Sequence, residues 1–508
     1  MTIDLHIERL LQYGLQQHLI SPEDQDYARN RVLAVLKKDS TDQPEPPVER
    51  AESPTGILND MLDWAQEHLA VSTVTERDQL DAAIMDCLMP RPSEVNATFR
   101  RLYAESPERA TAFFYILSKD SNYIRMDRIA KNEHWISQTE YGDLEMTINL
   151  SKPEKDPKTI AAEKEAKAVN YPLCLLCKEN VGYAGRMNHP ARQNHRVIPV
   201  ELTGEKWGFQ YSPYVYYNEH AIIFSNEHSP MKVSKEGFNR LLDFVRQYPH
   251  YFVGSNADLP IVGGSILSHD HFQGGRHTFA MAEASPLYSF EFVKGVQAEV
   301  VKWPMSVIRL RSKDERLLAD AADCVLQNWI SYADEQADIL PETNGERHNT
   351  VTPIARMRRG QYEMDLVLRN NRTTEEHPLG LFHPHEEVHA IKKENIGLIE
   401  VMGLAVLPGR LKEELQLIKD YLVSQNTEGL KADERTAKHA EWVMAFAEKE
   451  SITSENADRL LKQEVGRIFS IVLSHAGVFK QDEQGIEAFR AFTSQLTERV
   501  QTDERRRV

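Results

Sequence analysis

The sequence predicts an α+β protein in which an antiparallel or mixed sheet core, built in two portions, carries helical elements at both ends. The first ~140 residues and the residues after Pro408 place apolar side chains three or four positions apart, as helices do. Between them, short segments rich in β-branched and aromatic residues are bounded by turn formers, which is typical of strands. We therefore expect four regions, with bounds 1–140, 141–300, 301–410 and 411–508.

The N-terminal region is expected to be helical. Apolar residues recur at every fourth position and share one helix face at Ile7, Leu11, Leu15 and Leu19. Ser21-Pro22 followed by Asp24 has the composition of a helix N-terminus. The proline-rich segment 39–55 cannot continue a helix, because proline has no backbone N–H, and it is predicted to be a surface loop or linker.

From about Tyr141 the pattern changes to that of a sheet. The predicted strands are Tyr214–Tyr217, Ala221–Phe224, Tyr251–Val253, Phe279–Met281, Met364–Leu368 and Gly397–Leu407. Helices are predicted at Lys235–Arg246 and Asp314–Tyr332. After Pro408-Gly409 a further helix is predicted, with one apolar face formed by Leu411, Leu415, Ile418 and Leu422.

Composition narrows the class of protein. Of the 508 residues, 41% are hydrophobic and 27% are charged, which excludes wholesale disorder, collagen-like repetition and a disulfide scaffold. The formal net charge of −17 argues against nucleic-acid and membrane partners. A phosphate-bearing substrate would also be repelled, so a site for one needs local positive charge. Four cysteines, the absence of a signal-peptide pattern and the absence of a ~20-residue apolar run lead us to expect a cytoplasmic protein.

The densest chemical signal is the glycine-rich stretch Gly263–Gly275, which contains His269 and His271. On a strand, residues two apart point to the same side. Glycines let backbone amides approach an anion closely. A neutral imidazole can attack phosphorus and hold the phosphoryl group, while Gln273 can donate a hydrogen bond to a phosphate oxygen. With the glycines and Gln273 included, we interpret the motif as functional and not as a surface pair of histidines.

A second signal is Cys174-Leu175-Leu176-Cys177. Two thiolates at this spacing can bind one tetrahedral zinc ion, with two further ligands from elsewhere. Without a second such pair, the residues are also compatible with buried thiols or with a redox pair.

In combination these motifs resemble those of the galactose-1-phosphate uridylyltransferases of the histidine-triad superfamily, and more closely their second, divergent bacterial class. The matching motifs are Cys174-x-x-Cys177 with Asn180, Phe224–Ser229 in the pattern Phe-Ser-x-x-His-Ser, and His269–Gln273. The segment Ile148–Pro157 resembles a signature of the divergent class. The resemblance implies a histidine-triad-like sheet core whose catalytic half is the region 141–300.

The resemblance also implies roles for individual residues. His271 matches the nucleophile that becomes uridylylated, and Gln273 matches the residue that hydrogen-bonds the transferred phosphate. Asn256 matches an asparagine that contacts the nucleotide. A structural zinc ion is implied, with four matching ligands, namely Cys174, Cys177, His228 and His269.

The sequence departs from the family pattern at the active motif. Asp270 replaces the proline of His-Pro-His, and its carboxylate is expected to point away from the site. The family's phosphate-binding serine falls at Ile266, so Ser265 or Ser268 is expected to serve instead. Backbone amides around Gly274 and Gly275 are expected to stabilise the phosphate as well.

Two further clusters have an open interpretation. The literal His383-Pro384-His385, with His377 and His389 nearby, is either a substrate-side or second-metal region or a polar loop. Arg356 and Arg369 belong to arginine clusters that either bind phosphate or form solvated loops.

The resemblance predicts an enzyme that moves UMP from UDP-glucose to galactose 1-phosphate through a covalent uridylyl-histidine. It also implies a homodimer. The alternative is a histidine-triad nucleotide hydrolase or phosphorylase, because these enzymes use the same covalent chemistry with water or phosphate as the acceptor.

Overall fold

The computed structural model describes residues 2–46, 51–150 and 169–507, with only the backbone described for 503–507. The chain divides into two compact units. The first contains Met1–Lys131 and Ser151–Ser229, and the second contains Asn132–Leu150 and Pro230–Val508. Part of the predicted linker, 47–50, and the Ser151–Pro157 portion of the predicted class signature lie outside the described residues.

The helices of the described chain are α1 Ile3–Gln16, α2 Gln25–Val35, α3 Thr55–His68, α4 Val74–Asp86, α5 Pro92–Glu105, α6 Pro107–Asp120, α7 Met126–Ile129, α8 Lys235–Gln247, α9 Ala280–Glu283, α10 Glu315–Ile330, α11 Leu398–Val401, α12 Leu411–Val423, α13 Thr427–Ala432, α14 Ala440–Ala447, α15 Ala457–Ala476 and α16 Glu483–Arg507. The strands are β1 Glu133–Thr139, β2 Gly142–Ile148, β3 Ile198–Leu202, β4 Glu205–Tyr211, β5 Ala221–Ser225, β6 Phe252–Gly254, β7 His271–Gly275, β8 Pro286–Phe290, β9 Gln297–Val301, β10 Val307–Ser312, β11 Glu342–Thr343, β12 Glu346–Arg347, β13 Asn349–Arg358, β14 Gln361–Asn370 and β15 Leu404–Leu407.

In the first unit, helices α1–α7 accompany the antiparallel strands β3, β4 and β5. Helix α6 begins with Ser106, whose side chain accepts a hydrogen bond from the Arg109 N–H, and with a proline in its first turn. Helices α5 and α6 pack on each other, and α5 also contacts β3. Phe99 and Phe114 meet Phe209 of β4 at ring-centroid distances of 6.3 and 5.6 Å. Edge-to-face aromatic contacts therefore join the helices to the sheet.

The second unit contains a seven-stranded antiparallel arrangement in the order β7-β6-β13-β14-β10-β9-β8. Helices α8 and α10 pack on each other and on β13. A smaller sheet pairs β1 with β2 antiparallel and β2 with β15 parallel. Helix α15 packs against β1. The Cβ of an alanine in place of Gly466 would lie 2.1 Å from the Ser137 Cβ, so this contact depends on a glycine.

A buried network of opposite charges crosses the large sheet of the second unit and is called the charge ladder below. It consists of Arg309, Arg311, Arg356, Glu299, Glu363 and Asp365 on strands β9, β10, β13 and β14. The strand register places Arg311 opposite Glu363 and Arg309 opposite Asp365. The ladder balances its charges inside the sheet, which satisfies the requirement that buried charges be paired.

The α+β fold class is confirmed, with antiparallel strands between helical N- and C-terminal elements. Three local predictions are wrong. Tyr214–Tyr217 lies in turns, Phe279–Met281 enters helix α9, and Gly397–Leu407 divides into α11 and β15. Short apolar runs satisfy helix and strand patterns equally well, so packing decided these segments. Within residues 2–46, 51–150 and 169–507, no helix combines the length and apolarity needed to cross a bilayer.

Candidate functional site

His271 is the first residue of strand β7 and is buried. Its Nδ1 lies 2.8 Å from the carbonyl oxygen of His269. Because a carbonyl only accepts hydrogen bonds, Nδ1 carries the proton and Nε2 carries the lone pair. Burial lowers the pKa of His271 to about 4, and the hydrogen bond to the His269 carbonyl oxygen opposes part of this shift. The imidazole is therefore neutral at pH 7, in the tautomer whose Nε2 is nucleophilic.

Strand geometry decides which neighbours share the face of His271. In β7 the side chains of His271 and Gln273 lie on one face, because residues two apart in a strand point the same way. Gln273 is opposite Gly254 of β6. His269 lies before the strand, so the expectation that both histidines are strand residues is wrong. The Asp270 carboxylate is 4.0 Å from Arg240 of α8, and its orientation away from the site stays a prediction.

The loop before β7 is packed against the segment that follows β6. A Cβ on Gly263 would lie 2.5 Å from the Ala257 carbonyl oxygen, and one on Gly264 would lie 2.7 Å from Asn256 Nδ2. Asn256 is buried, and its Oδ1 accepts the Leu398 N–H at 2.9 Å. The structure therefore shows Asn256 as an anchor of this loop, and a nucleotide contact by Asn256 stays a prediction.

The remaining predicted phosphate contacts differ in exposure. Ser265 and Ser268 are exposed in the loop, whereas Gly274 and Gly275 are buried in β7. The two exposed hydroxyls are accessible to a ligand.

In the first unit, the predicted metal ligands Cys174, Cys177 and His228 come together. Their ligand atoms lie within 4.8 Å of one another. The two Sγ atoms are 3.6 Å apart, and Cys177 Sγ is 3.3 Å from His228 Nδ1. The Leu176 N–H donates to Cys174 Sγ at 3.4 Å, a contact that stabilises thiolate charge. The donors suit zinc, which prefers sulfur and imidazole ligands in a tetrahedron.

The environment of the Cys177 thiol opposes its ionisation. Burial raises the pKa of Cys177 to about 11, although a backbone hydrogen bond at Cys174 opposes part of this shift. A thiol in this environment ionises at neutral pH when a bound cation compensates its charge. His269, the predicted fourth ligand, is buried and belongs to the second unit.

Two residues support the cysteine loop: Asn180, which the sequence placed in the matched motif without a role, and His189. Asn180 donates from Nδ2 to the carbonyl oxygens of Cys174 and Cys177 at 2.8 and 2.7 Å. Its Oδ1 is 2.7 Å from Nε2 of His189. The position of Asn180 three residues after the second cysteine was the available signal, whereas nothing in the sequence indicated His189.

The second histidine cluster is only partly the predicted one. Ligand atoms of His385, Glu387 and His475 lie within 4.8 Å of one another. The ring of His385 stacks between those of His377 and His475, at centroid distances of 4.2 and 4.4 Å. The rings of His383 and His389 are engaged elsewhere, by Asn395 and the Pro384 carbonyl oxygen respectively. Sequence reasoning missed His475, which is distant along the chain.

The two arginines expected to compensate phosphate charge already have protein partners. Arg356 pairs with Glu363 and Asp365 in the charge ladder. Arg369 is buried and donates to the Ile396 carbonyl oxygen at 3.0 Å. Burial lowers its pKa to about 10. Their contribution to fold stability is therefore direct, and a substrate contact by either one stays a prediction.

Comparisons with known proteins identify the family of this chain. The family model described as galactose-1-phosphate uridyl transferase, N-terminal domain, matches residues 18–230, and the corresponding C-terminal domain matches residues 243–444. Proteins named galactose-1-phosphate uridylyltransferase are similar over nearly their whole length. The one from Halalkalibacterium halodurans is 57% identical over 98% of this chain and 99% of its own. Those from Bacillus subtilis and Clostridium acetobutylicum are 55% and 53% identical, covering 98% and 97% of this chain and 98% and 100% of their own.

A crystal structure of the yeast Ap4A phosphorylase Apa2 is a distant match, with 14% identity, a TM-score of 0.33, and coverage of 65% of this chain and 92% of that one. At this distance it adds nothing to the assignment. The two family models and the full-length relatives define the class of the chain as a transferase. The chain belongs to the galactose-1-phosphate uridylyltransferase family.

Proposed function

We propose that this enzyme moves UMP from UDP-glucose to galactose 1-phosphate through a uridylyl group carried on His271 Nε2. The observation that carries the proposal is the hydrogen bond from His271 Nδ1 to the His269 carbonyl oxygen, which selects the nucleophilic tautomer. Family membership supplies the substrates, since the relatives are named for this reaction.

In the first step, His271 Nε2 forms a bond to the α-phosphorus of UDP-glucose. The bond from that phosphorus to the bridging oxygen breaks, and glucose 1-phosphate leaves with the electron pair. The imidazole becomes cationic as the bond forms, while Nδ1 keeps its proton on the His269 carbonyl oxygen. That acceptor stabilises the developing positive charge without any rearrangement, which is the advantage of a preorganised site.

In the second step, a phosphate oxygen of galactose 1-phosphate attacks the same phosphorus. The phosphorus–nitrogen bond breaks, UDP-galactose leaves, and the electron pair returns to Nε2. Gln273 shares the strand face of His271, so we assign its side-chain amide to the non-bridging oxygens of the transferred phosphate. The exposed hydroxyls of Ser265 and Ser268 and the amides at Gly274 and Gly275 are candidate additional donors.

We also propose that Cys174, Cys177, His228 and His269 bind zinc. The assignment is supported by the two thiols, the imidazole and the Leu176 N–H donated to Cys174 Sγ. When bound, the ion supplies structural cross-linking and no redox chemistry. His269 also offers its carbonyl oxygen to His271, so a ligand role for its side chain would hold the acceptor of the nucleophile's proton in place. The resemblance further supports a homodimer in the cytoplasm, which light scattering and cell fractionation test.

The test of the mechanism is incubation with UDP-glucose labelled in the uridine, without an acceptor. We expect an acid-labile, base-stable label on the protein, and exchange of labelled glucose 1-phosphate into UDP-glucose. His271→Gln is expected to lose both signals and to lower turnover by more than about 10³-fold. His68→Gln, in an exposed helical position, serves as the control. A full rate in His271→Gln contradicts the mechanism, and UMP release at the same rate without acceptor indicates the hydrolase.

A further inference from the structure

We propose that Asn180 is a positioning residue that sets the spacing of the Cys174 and Cys177 sulfurs, and that His189 holds Asn180 in its working orientation. The inference deepens the metal site proposed above and rests on it. Nothing in the motif or in the relatives' names assigns a task to either residue.

Both polar atoms of the Asn180 side-chain amide make hydrogen bonds within the protein. Its Nδ2 donates to the carbonyl oxygens of Cys174 and Cys177, at 2.8 and 2.7 Å, and its Oδ1 faces His189 Nε2. The side chain is buried, so water does not compete for these contacts. One planar group therefore bridges the two peptide units that carry the sulfur ligands, in the manner of the outer hydrogen bonds that orient metal ligands in proteins.

His189 determines which way the amide points. Because Asn180 Nδ2 donates to two carbonyl oxygens, Oδ1 is the acceptor, and the His189 Nε2 that faces it carries the proton. The backbone of His189 is held by reciprocal hydrogen bonds with Arg186, at 2.8 and 3.0 Å. Its ring also meets Tyr183 edge-on at 5.5 Å. The imidazole is thus immobile, and it prevents the Asn180 amide from flipping.

The bridge has a direct consequence for the sulfurs. With both carbonyl oxygens tied to one amide, the loop presents Sγ atoms 3.6 Å apart, close to the separation of two ligands on one tetrahedral ion. An aspartate at this position keeps the shape of the side chain but places an oxygen against two carbonyl oxygens. The repulsion moves the two carbonyl oxygens apart, and the two thiolates must be brought back together whenever a cation binds.

The experiment uses the full chain and Co²⁺ as the probe, because thiolate-to-cobalt charge-transfer bands report the ligand set independently of catalysis. Affinity is measured by competition with a chromophoric chelator. We expect Asn180→Asp to weaken Co²⁺ binding by about 10–100-fold, the usual effect of losing an outer hydrogen bond to a metal ligand. The matched control is Asn188→Asp, because Asn188 is exposed in the same loop and its side-chain oxygen accepts a hydrogen bond from Arg186 and not from the cysteine loop. It should bind Co²⁺ like the wild type.

A second pair of variants leaves Asn180 intact. His189→Gln retains an N–H donor and is expected to keep most of the affinity, whereas His189→Leu is expected to lose it together with the sharp charge-transfer bands. Circular dichroism and thermal unfolding identify any variant that does not fold. If Asn180→Asp does not fold, the comparison of His189→Gln with His189→Leu tests the positioning role instead. Equal Co²⁺ affinity in Asn180→Asp or His189→Leu overturns the positioning role and leaves the metal site intact. A wild-type protein without charge-transfer bands overturns both proposals.

Discussion

Arg309 is the residue on which the charge ladder depends most. Its guanidinium donates to Asp365 at 2.6 and 2.9 Å and to the carbonyl oxygens of Met281 and Ala284 at 2.8 and 3.2 Å. Arg309 and Asp365 are 1% and 0% exposed, so no water replaces the guanidinium when it is removed. Arg309→Met therefore leaves the ladder with one more carboxylate than guanidinium groups, and Asp365 then shares Arg356 with Glu363.

Breaking a buried ion pair on one side costs about 3–5 kcal/mol, and we expect this loss for Arg309→Met. Adding Asp365→Leu to Arg309→Met removes one carboxylate and restores equal numbers of positive and negative charges. The double variant is therefore expected to be more stable than the single one. Arg467→Met is the control, because Arg467 is exposed where it pairs with Glu464, and ion pairs of exposed guanidinium groups contribute about 0–1 kcal/mol.

The measurement is urea unfolding followed by tryptophan fluorescence, since Trp303 and Trp329 are buried in the same unit. Burial alone would raise the pKa of Asp365, but Arg309 and Arg356 hold it at about 2. The lowered pKa contributes stability above about pH 4, the unfolded value, and this contribution is lost as the pH falls through 2. A loss in Arg309→Met no larger than in the control would refute the reasoning.

Two further predictions concern the small sheet of the second unit. Gly466→Ala gains about 1 kcal/mol of helix propensity, but it places a Cβ 2.1 Å from the Ser137 Cβ, and overpacking of this kind costs about 1–3 kcal/mol. Thermal unfolding should therefore show a lower midpoint than the wild type. An unchanged midpoint would mean that α15 can move away from β1. Burial opposes ionisation of Glu145, yet His134 and His277 lower its pKa to about 2. The ionised Glu145 therefore stabilises the fold above about pH 4.3, and this stabilisation is lost as the pH falls toward 2. Glu145→Gln should flatten the acid limb of the stability curve, and a curve parallel to that of the wild type would exclude the contribution.

Elements with a strong local signal were predictable. The helix expected at Lys235–Arg246 is Lys235–Gln247, because a long periodic pattern that begins with a well-formed N-cap favours a helix over a strand. The region around Phe279 was misassigned because its aromatic and methionine residues suit a buried strand as well as a buried helix. The choice of a helix here depends on tertiary contacts, such as the hydrogen bond that Arg309 donates to the Met281 carbonyl oxygen.

The residues of the candidate site also differ in how far the sequence could predict them. His271 and Gln273 were recognisable because both functional groups and the glycines around them are close in sequence. The partnership of His385 with His475, 90 residues apart, was not. Arg356 illustrates the converse, since a cluster of arginines indicates positive charge but not the buried carboxylates that neutralise it.

By itself the sequence determined which chemical groups are available: an imidazole beside glycines, a pair of thiols at chelating spacing, and enough local pattern to define the fold class and the family. These properties depend on residues near one another in the chain. The tertiary structure alone decided which imidazole nitrogen keeps the proton, which arginines are already paired, and which amide bridges the two cysteines. Each of these depends on a particular acceptor 2.6–2.8 Å away, and the folded backbone selects that acceptor.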